Sequence, residues 1–322
     1  MRLSLLDRSR TRIGEPESAA LPHSVERARL AELAGYQRFW VAEHHAVPGI
    51  ASGSPAVLLG AIGASTERIR LGTGGIMLPN HRPLLVAEQA LMLASLFPGR
   101  VDLGLGRSLG FTEPVRRALG RLDVSPEEFA AEIAQVRAHL EGTAEITARP
   151  AADAPVPVHL LATGRGLDLA AQRGLPVVIG GPVLRSAELP ARLAAYRRAF
   201  RPHRGSAPHI MLSADVLVAD TDAEARELAV PEAWSMLESR RTGAFGPLEP
   251  VARIRERDLG ARDRERLEQQ VAAAWTGSEQ TVARDIGQLL ERTGTEELLA
   301  SGSTYDRHAL ADSDRRLAAI LG

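Results

Sequence analysis

Three ionisable side chains stand in a row at Glu43-His44-His45, directly behind the apolar run Phe39–Ala42. A histidine there can take or give a proton near neutral pH, and an adjacent carboxylate can orient its ring. The residues alone leave a structural role open for either histidine, as a donor to a loop carbonyl. Glutamate and histidine are also metal ligands. Neighbours on an extended segment point to opposite faces, however, and no second convincing His or Asp cluster accompanies these three, so no metal is expected.

Three further places carry polar chemistry. In Leu71-Gly72-Thr73-Gly74-Gly75-Ile76-Met77-Leu78-Pro79-Asn80-His81 the glycines interrupt an apolar run. Glycines inside a strand mark a bulge, an unusual backbone or the close approach of a flat ligand, and a barrel corner that needs small residues is the alternative. In Gly104-Leu105-Gly106-Arg107 an arginine follows a small-residue strand end, where its planar guanidinium suits a phosphate or carboxylate; a surface ion pair is the alternative. In Ala162-Thr163-Gly164-Arg165-Gly166 a glycine-bearing loop opens a helix, presenting backbone N–H groups and the positive end of the helix dipole. With Arg107 that loop makes a phosphate cradle, although it matches neither a Walker A loop nor a GxGxxG pattern.

Composition removes whole mechanisms. The chain of 322 residues has no cysteine, and every one of its 39 basic residues is an arginine. Disulfides, thiolate nucleophiles, Cys-ligated metals, Schiff bases and P-loop lysines are therefore excluded. The formal net charge is -1, the pI about 6.8, and the arginines are interleaved with acidic residues, so nucleic acid is not an expected partner. No run of 18 apolar residues is present, and the first residues lack an apolar stretch of signal-peptide length, which points to a cytoplasmic protein without a membrane segment.

These residues need elements to place them. Apolar runs alternate with alanine-rich amphipathic stretches from end to end, the pattern of repeated βα units. Strands are predicted at Arg2–Leu6, Arg38–Ala42, Ile69–Leu78, Arg100–Leu105, Val156–Ala162, Pro176–Gly180, His209–Ala219 and Glu296–Ser301. Helices are predicted at His23–Ala34, Pro55–Ser65, Leu84–Leu96, Pro126–Leu140, Leu167–Arg173, Ala187–Phe200, Ala223–Leu237, Glu279–Arg292 and Arg307–Leu321. Gly35, Gly174 and Gly294 each sit just past a predicted helix end, and Ser125-Pro126 is a helix start. Eight strand–helix units close most naturally into a (β/α)8 TIM barrel spanning residues 1–322 as one α/β domain, with a doubly wound sheet as the alternative. A barrel takes roughly 250 residues, so insertions are expected, at Phe111–Asp123 and at about 231–274. The dense alternating charges of the second predict a solvated helix, with a cover over the active face as the alternative.

The runs Trp40–His45, Leu71–His81 and Gly99–Arg107 resemble those of the bacterial luciferase-like flavin monooxygenases. The similarity extends through Ala170–Pro176, Asp215–Asp222, Gly277–Val282 and Thr293–Leu298. It reaches, within the family, the tailoring oxygenases of aromatic polyketide pathways of the mensacarcin-epoxidase type. The resemblance implies a barrel that binds reduced FMN, or in a sister branch F420, at its C-terminal face, commonly as a homodimer. It places His44 beside the reactive flavin edge, Gly74-Gly75 at a non-prolyl cis peptide against the flavin, and Arg107 on the phosphate. The chain departs from the family at Ala162–Gly166, where Thr163 alone keeps a hydroxyl among the serines of relatives and Arg165 replaces an aromatic, and at Ile179-Gly180-Gly181-Pro182, which lacks an aromatic, histidine-bearing stretch.

The function implied is that of a two-component monooxygenase. A separate reductase supplies FMNH2, O2 adds at flavin C4a, and the hydroperoxide passes one oxygen to an apolar, aromatic polyketide-type substrate by epoxidation or hydroxylation. His44 is the expected acid or base with Glu43 orienting it. Arg107 and Ala162 to Gly166 hold phosphate, and His45, Met77, Phe111 and His159 line the substrate. An F420-dependent hydride-transfer enzyme is the alternative, and a non-catalytic flavin-binding protein the alternative of another class.

Overall fold

The computed structural model describes residues 1–151, 154–162 and 166–322. Its strands are β1 (Arg2–Asp7), β2 (Arg38–Val41), β3 (Arg70–Thr73), β4 (Ile76–Met77), β5 (Val101–Gly106), β6 (Val158–Leu161), β7 (Val177–Gly180), β8 (Ile210–Val218), β9 (Trp275–Gly277) and β10 (Glu297–Ser301). All neighbours run parallel in the order β10-β1-β2-β3-β5-β6-β7-β8, and β8 pairs with β10 to close the ring. This is the eight-stranded TIM barrel expected from the sequence, with β4 continuing β3 along β5 and β9 lying against the second half of β8.

The helices are α1 (Ala20–Leu33), α2 (Pro55–Ala64), α3 (Pro83–Leu96), α4 (Glu113–Ala118), α5 (Pro126–Leu140), α6 (Gly166–Arg173), α7 (Leu189–Ala199), α8 (Asp222–Thr242), α9 (Val251–Arg255), α10 (Ala261–Ala273), α11 (Glu279–Thr293) and α12 (Arg307–Leu321). Ser125 caps α5 in a full capping box. Gly35, Gly174 and Gly294 have φ of 92°, 61° and 58°, the left-handed conformation in which a helix end is closed most cheaply by glycine.

Strand alternation divides the apolar residues into two sets. Leu3, Leu5, Phe39, Leu71, Leu103, Leu160, Ile179 and Leu212 face outward and pack under the helices. Leu6, Trp40, Ala42, Val178, Met211 and Leu299 fill the barrel. Trp40 explains part of the glycine pattern: a Cβ at Gly72 would collide with the indole at Nε1, whereas one at Gly104 would collide first with the Thr73 carbonyl oxygen and then come within 3.0 Å of Trp40 Cζ3. Gly72 in β3 is thus small because an indole occupies its side of the interior, and Gly104 in β5 because the β3 backbone and the indole both crowd it.

Below that layer, at the N-terminal end, the interior is ionic. Arg38 donates to Glu297 at 2.7 Å and to Asp102 at 2.6 Å, and Ser4 donates to Glu297 at 3.0 Å. His159 belongs to this layer, 3% exposed, with its ring 5.2 Å from Trp40 and 6.1 Å from His209. The expectation that His159 lines the substrate is therefore corrected: it lies in the second position of β6, at the foot of the barrel, rather than at the strand's C-terminal end.

Three boundaries differ from the prediction. The run 69–78 is two strands, separated by a cis bond between Gly74 and Gly75. The short strand β9 has only three residues, too few for a period to register. Helix α8 runs through Pro231 to Thr242, so an insertion does not begin at 231. A proline inside a helix forfeits one backbone bond. Here burial of Val230, Ala233, Trp234 and Leu237 against Ile254, Leu267 and Val271 offsets that loss. The charged stretch 249–266 forms α9 and the start of α10, with surface ion pairs such as Arg255–Glu227 and Arg255–Glu268.

Candidate active site

The loops that follow β1, β2, β4 and β5 converge at the C-terminal face. Two non-glycine residues in them, Ser9 (φ 48°) and Ala46 (φ 52°), adopt left-handed backbone, a conformation that costs energy and persists only where surroundings enforce it. Asp7 enforces it at Ser9, accepting bonds from the Ser9 amide at 3.0 Å and its hydroxyl at 3.3 Å.

Glu43 is 2% exposed, and its carboxylate is fully used. One oxygen lies 2.6 Å from His45 Nε2 and 2.7 Å from His81 Nε2, and the other accepts the Met77 amide at 3.1 Å. Burial alone would raise its pKa, but the bonds from His45 and His81 overcome this and hold it below the usual carboxylate range. Glu43 therefore orients His45 and His81, not His44 as expected. The chain beyond β2 puts the side chains of 43 and 45 together on His81 and turns that of 44 toward Phe111. His81 was not among the expected site residues, although it closes the same glycine-bearing run. Glu43, His45 and His81 bring one ligand atom each within 4.8 Å of one another, the composition of a metal site. Their spacing is that of two N–H···O bonds closed on one oxygen.

His44 stands apart from that cluster. Its amide donates to the Ser52 carbonyl at 2.9 Å, and its buried Nδ1 has no hydrogen-bond partner among the described residues. Burial, reinforced by the positive charge of Arg8, pushes its pKa down to about 4, so the ring is neutral at pH 7. The Phe111 ring lies 5.6 Å from it at 30°, and Phe111 in turn stacks on Phe245 at 6.2 Å and 15°.

Around these rings runs an ionic frame that the sequence reading missed. Arg8 donates to Asp215 at 2.8 Å and to Glu232 at 3.0 Å; Arg10 donates to Glu232 at 2.8 Å and Ser235 at 2.8 Å. Asp215, then burial and Glu232, set the Arg8 pKa, with a net rise. The alternating arginines of Arg8-Ser9-Arg10 directly follow β1, so the strand-end criterion applied to Glu43 and Arg107 would have found them.

Arg107 is exposed at the end of β5. Arg117 and Arg121 further along pair with Glu113 and Glu132, whereas Arg107 has no ion-pair partner among the described residues. Thr163, Gly164 and Arg165 lie outside the described residues. The flanking residues are close to each other: a Cβ at Gly166 would come 2.9 Å from that of Ala162. Met77 is 5% exposed. A cavity of about 750 Å3 lies between α1 and α12 beside Ser9 and Arg10, and His44 does not line it.

Residues 1–297 match the family model described as luciferase-like monooxygenase. A luciferase-like monooxygenase of Escherichia coli (strain K12) is 33% identical over 313 residues, covering 95% of this chain and 92% of that protein. The N-acetyl-S-alkylcysteine monooxygenase of Bacillus subtilis (strain 168) is 37% identical over 244 residues, 70% of each chain. The crystal structure of apo-MsnO8 superposes with a TM-score of 0.88 at 30% identity, covering 100% of this chain and 99% of that one. The oxygenating constituent of 3,6-diketocamphane monooxygenase in complex with FMN, at 18% identity and TM-score 0.74, and an F420-dependent secondary alcohol dehydrogenase, at 15% and 0.72, share the fold. With a family model spanning most of its length and monooxygenase relatives above 30% identity, the chain belongs to the luciferase-like monooxygenase family and is a flavin-dependent monooxygenase.

Proposed function

We propose that the protein uses reduced FMN delivered by a separate reductase and transfers one oxygen atom of O2 to an apolar, aromatic polyketide-type substrate, by epoxidation or hydroxylation. The carrying observation is His44: a neutral imidazole with an unpartnered, buried Nδ1, set against the half-exposed ring of Phe111. That unpartnered atom and the exposed guanidinium of Arg107 fit a bound flavin mononucleotide, one toward its ring edge and the other toward its phosphate. Bound reduced FMN supplies the two electrons that leave one oxygen of O2 in the product and the other in water. In this reading the cis-linked Gly74 and Gly75, at the break between β3 and β4, offer the flavin backbone without side chains. His44 holds or releases the proton at its Nδ1, Glu43 fixes His45, His81 and the Met77 amide beside it, and Phe111 helps keep water out.

The test is an anaerobic titration with reduced FMN, oxidised FMN and F420, followed by tryptophan fluorescence, for which Trp40 beneath the mouth is a suitable reporter. Preferential binding of reduced FMN is expected. Preferential binding of F420 would replace oxygen transfer by hydride transfer, and flavin binding without turnover by any reductase-fed assay would favour a non-catalytic carrier.

A homodimer is supported by Leu85, Met92 and Leu96, an exposed apolar stripe on α3, with exposed Val57 on the neighbouring α2. No described helix is long and apolar enough to cross a membrane.

A further inference from the structure

Four planar groups follow one another across the mouth of the barrel: His44, Phe111, Phe245 and the guanidinium of Arg10, which lies 4.2 Å over the Phe245 ring. The two ends of this series are fixed. Phe245 is 5% exposed and packs on Val47, Ile50 and Met236. Its carbonyl accepts the Gly49 amide at 2.8 Å. Arg10 is held by Glu232, by Ser235 and by the carbonyls of Gly49 and Gly246. His44 is tied by its amide to Ser52, whose hydroxyl donates to the Ala42 carbonyl at 2.6 Å.

The middle member differs. Phe111 is 51% exposed and stands on the irregular segment between β5 and α4. Its ring lies at aromatic-pair distance from both His44 and Phe245, so the gap between them has room for one ring. An arginine over Phe245 withdraws electron density from that ring's face and favours an electron-rich aromatic as its stacking partner.

We infer that the space between His44 and Phe245 is a binding slot for one planar, electron-rich aromatic ring, such as a phenol or naphthol. Phe111 holds that place until such a ring displaces it. The slot deepens the proposed function by naming what the substrate presents to His44, and only the word substrate rests on that reading. Phe245, with the Arg10 guanidinium against its ring, is the residue that selects planarity.

Isothermal titration with a matched pair of probes tests the slot without turnover. 2-Naphthol and decahydro-2-naphthol share a carbon skeleton and a hydroxyl and differ in planarity. The wild-type protein is expected to bind one 2-naphthol at least tenfold more tightly than the saturated analogue, with and without FMN. Phe245→Leu keeps the apolar contact to Val47 and Ile50 and should weaken 2-naphthol roughly three- to tenfold, the range of an aromatic pair, while Phe245→Tyr restores it. Phe111→Ala removes the placeholder and should leave 2-naphthol binding as tight or tighter. The slot is overturned if the wild type binds both probes alike or neither, if Phe111→Ala and Phe245→Leu weaken 2-naphthol equally, or if FMN competes with 2-naphthol. Failure of the FMN titration with the probe results intact would remove the oxygenase reading and leave the slot standing.

Discussion

Glu43, His44 and His45 are adjacent in sequence yet do separate work, because their side chains leave the loop after β2 in different directions. Glu43 and His45 turn toward His81, and His44 turns toward Phe111. Glu43→Gln keeps the shape but removes the anionic acceptor of two imidazole donors. Chemical denaturation should show a loss of about 2 to 3 kcal/mol, and the loss should vanish in a His45→Ala, His81→Ala background. His44 predicts a different signature. Its pKa of about 4 means the neutral ring persists well below pH 6.5, so kcat should hold through that range and fall only as pH drops through about 4. His44→Ala should still bind flavin while turnover falls at least a hundredfold, the scale of general acid–base catalysis; unchanged kcat in that variant would remove His44 from the chemistry.

The barrel strands are shaped by what they enclose. Gly72 in β3 and Gly104 in β5 leave room for the Trp40 indole, and Thr73 stitches the two strands together, donating to the Gly104 carbonyl at 2.8 Å and accepting its amide at 2.9 Å. A methyl at residue 72 has nowhere to go, because its nearest neighbours are atoms of a fully buried ring. Gly72→Ala should therefore destabilise the protein by about 3 kcal/mol or more. Combining it with Trp40→Leu should recover part of that loss, and strict additivity in the double-mutant cycle would refute the packing account. Helix α8 shows the complementary case, in which buried contacts keep a helix intact through Pro231.

At the scale of the whole molecule, two features carry predictions. The foot of the barrel buries His159 beside Asp102, Arg38, His209 and Glu297. Burial, with Arg38 adding to it and Asp102 opposing, pushes the His159 pKa down to about 4. A group more easily protonated when unfolded contributes its full stability above the unfolded value near 6.5 and loses it as pH falls toward 4. That loss amounts to up to about 3 kcal/mol, and His159→Gln should show a shallower decline of stability between pH 6.5 and 4 by urea titration. The outer surface carries the second feature, the apolar stripe of α3. Sedimentation should find a dimer for the wild type and a monomer for the Leu85→Arg, Met92→Arg double variant; a dimer in both would move the interface elsewhere.

The sequence by itself determined the barrel, since the alternation of short apolar runs with amphipathic stretches is written locally and parallel strands joined by helices have few ways to close. It also determined which chemistry is absent, through the missing cysteine and lysine, and marked Glu43, His44 and Arg107 at strand ends. Tertiary structure alone decided who meets whom. His81 reaches Glu43 across 38 residues of chain, Glu232 on α8 reaches Arg8 and Arg10 after β1, and Phe245 reaches Phe111 from a loop beyond α8. His159 moved the other way, from an expected place at the mouth to the foot of the barrel. The physical reason is common to the first three: a residue's type is a local property, whereas its partners depend on the register in which distant strands and loops pack once the ring is closed; His159 differs, its depth following from its place early in β6.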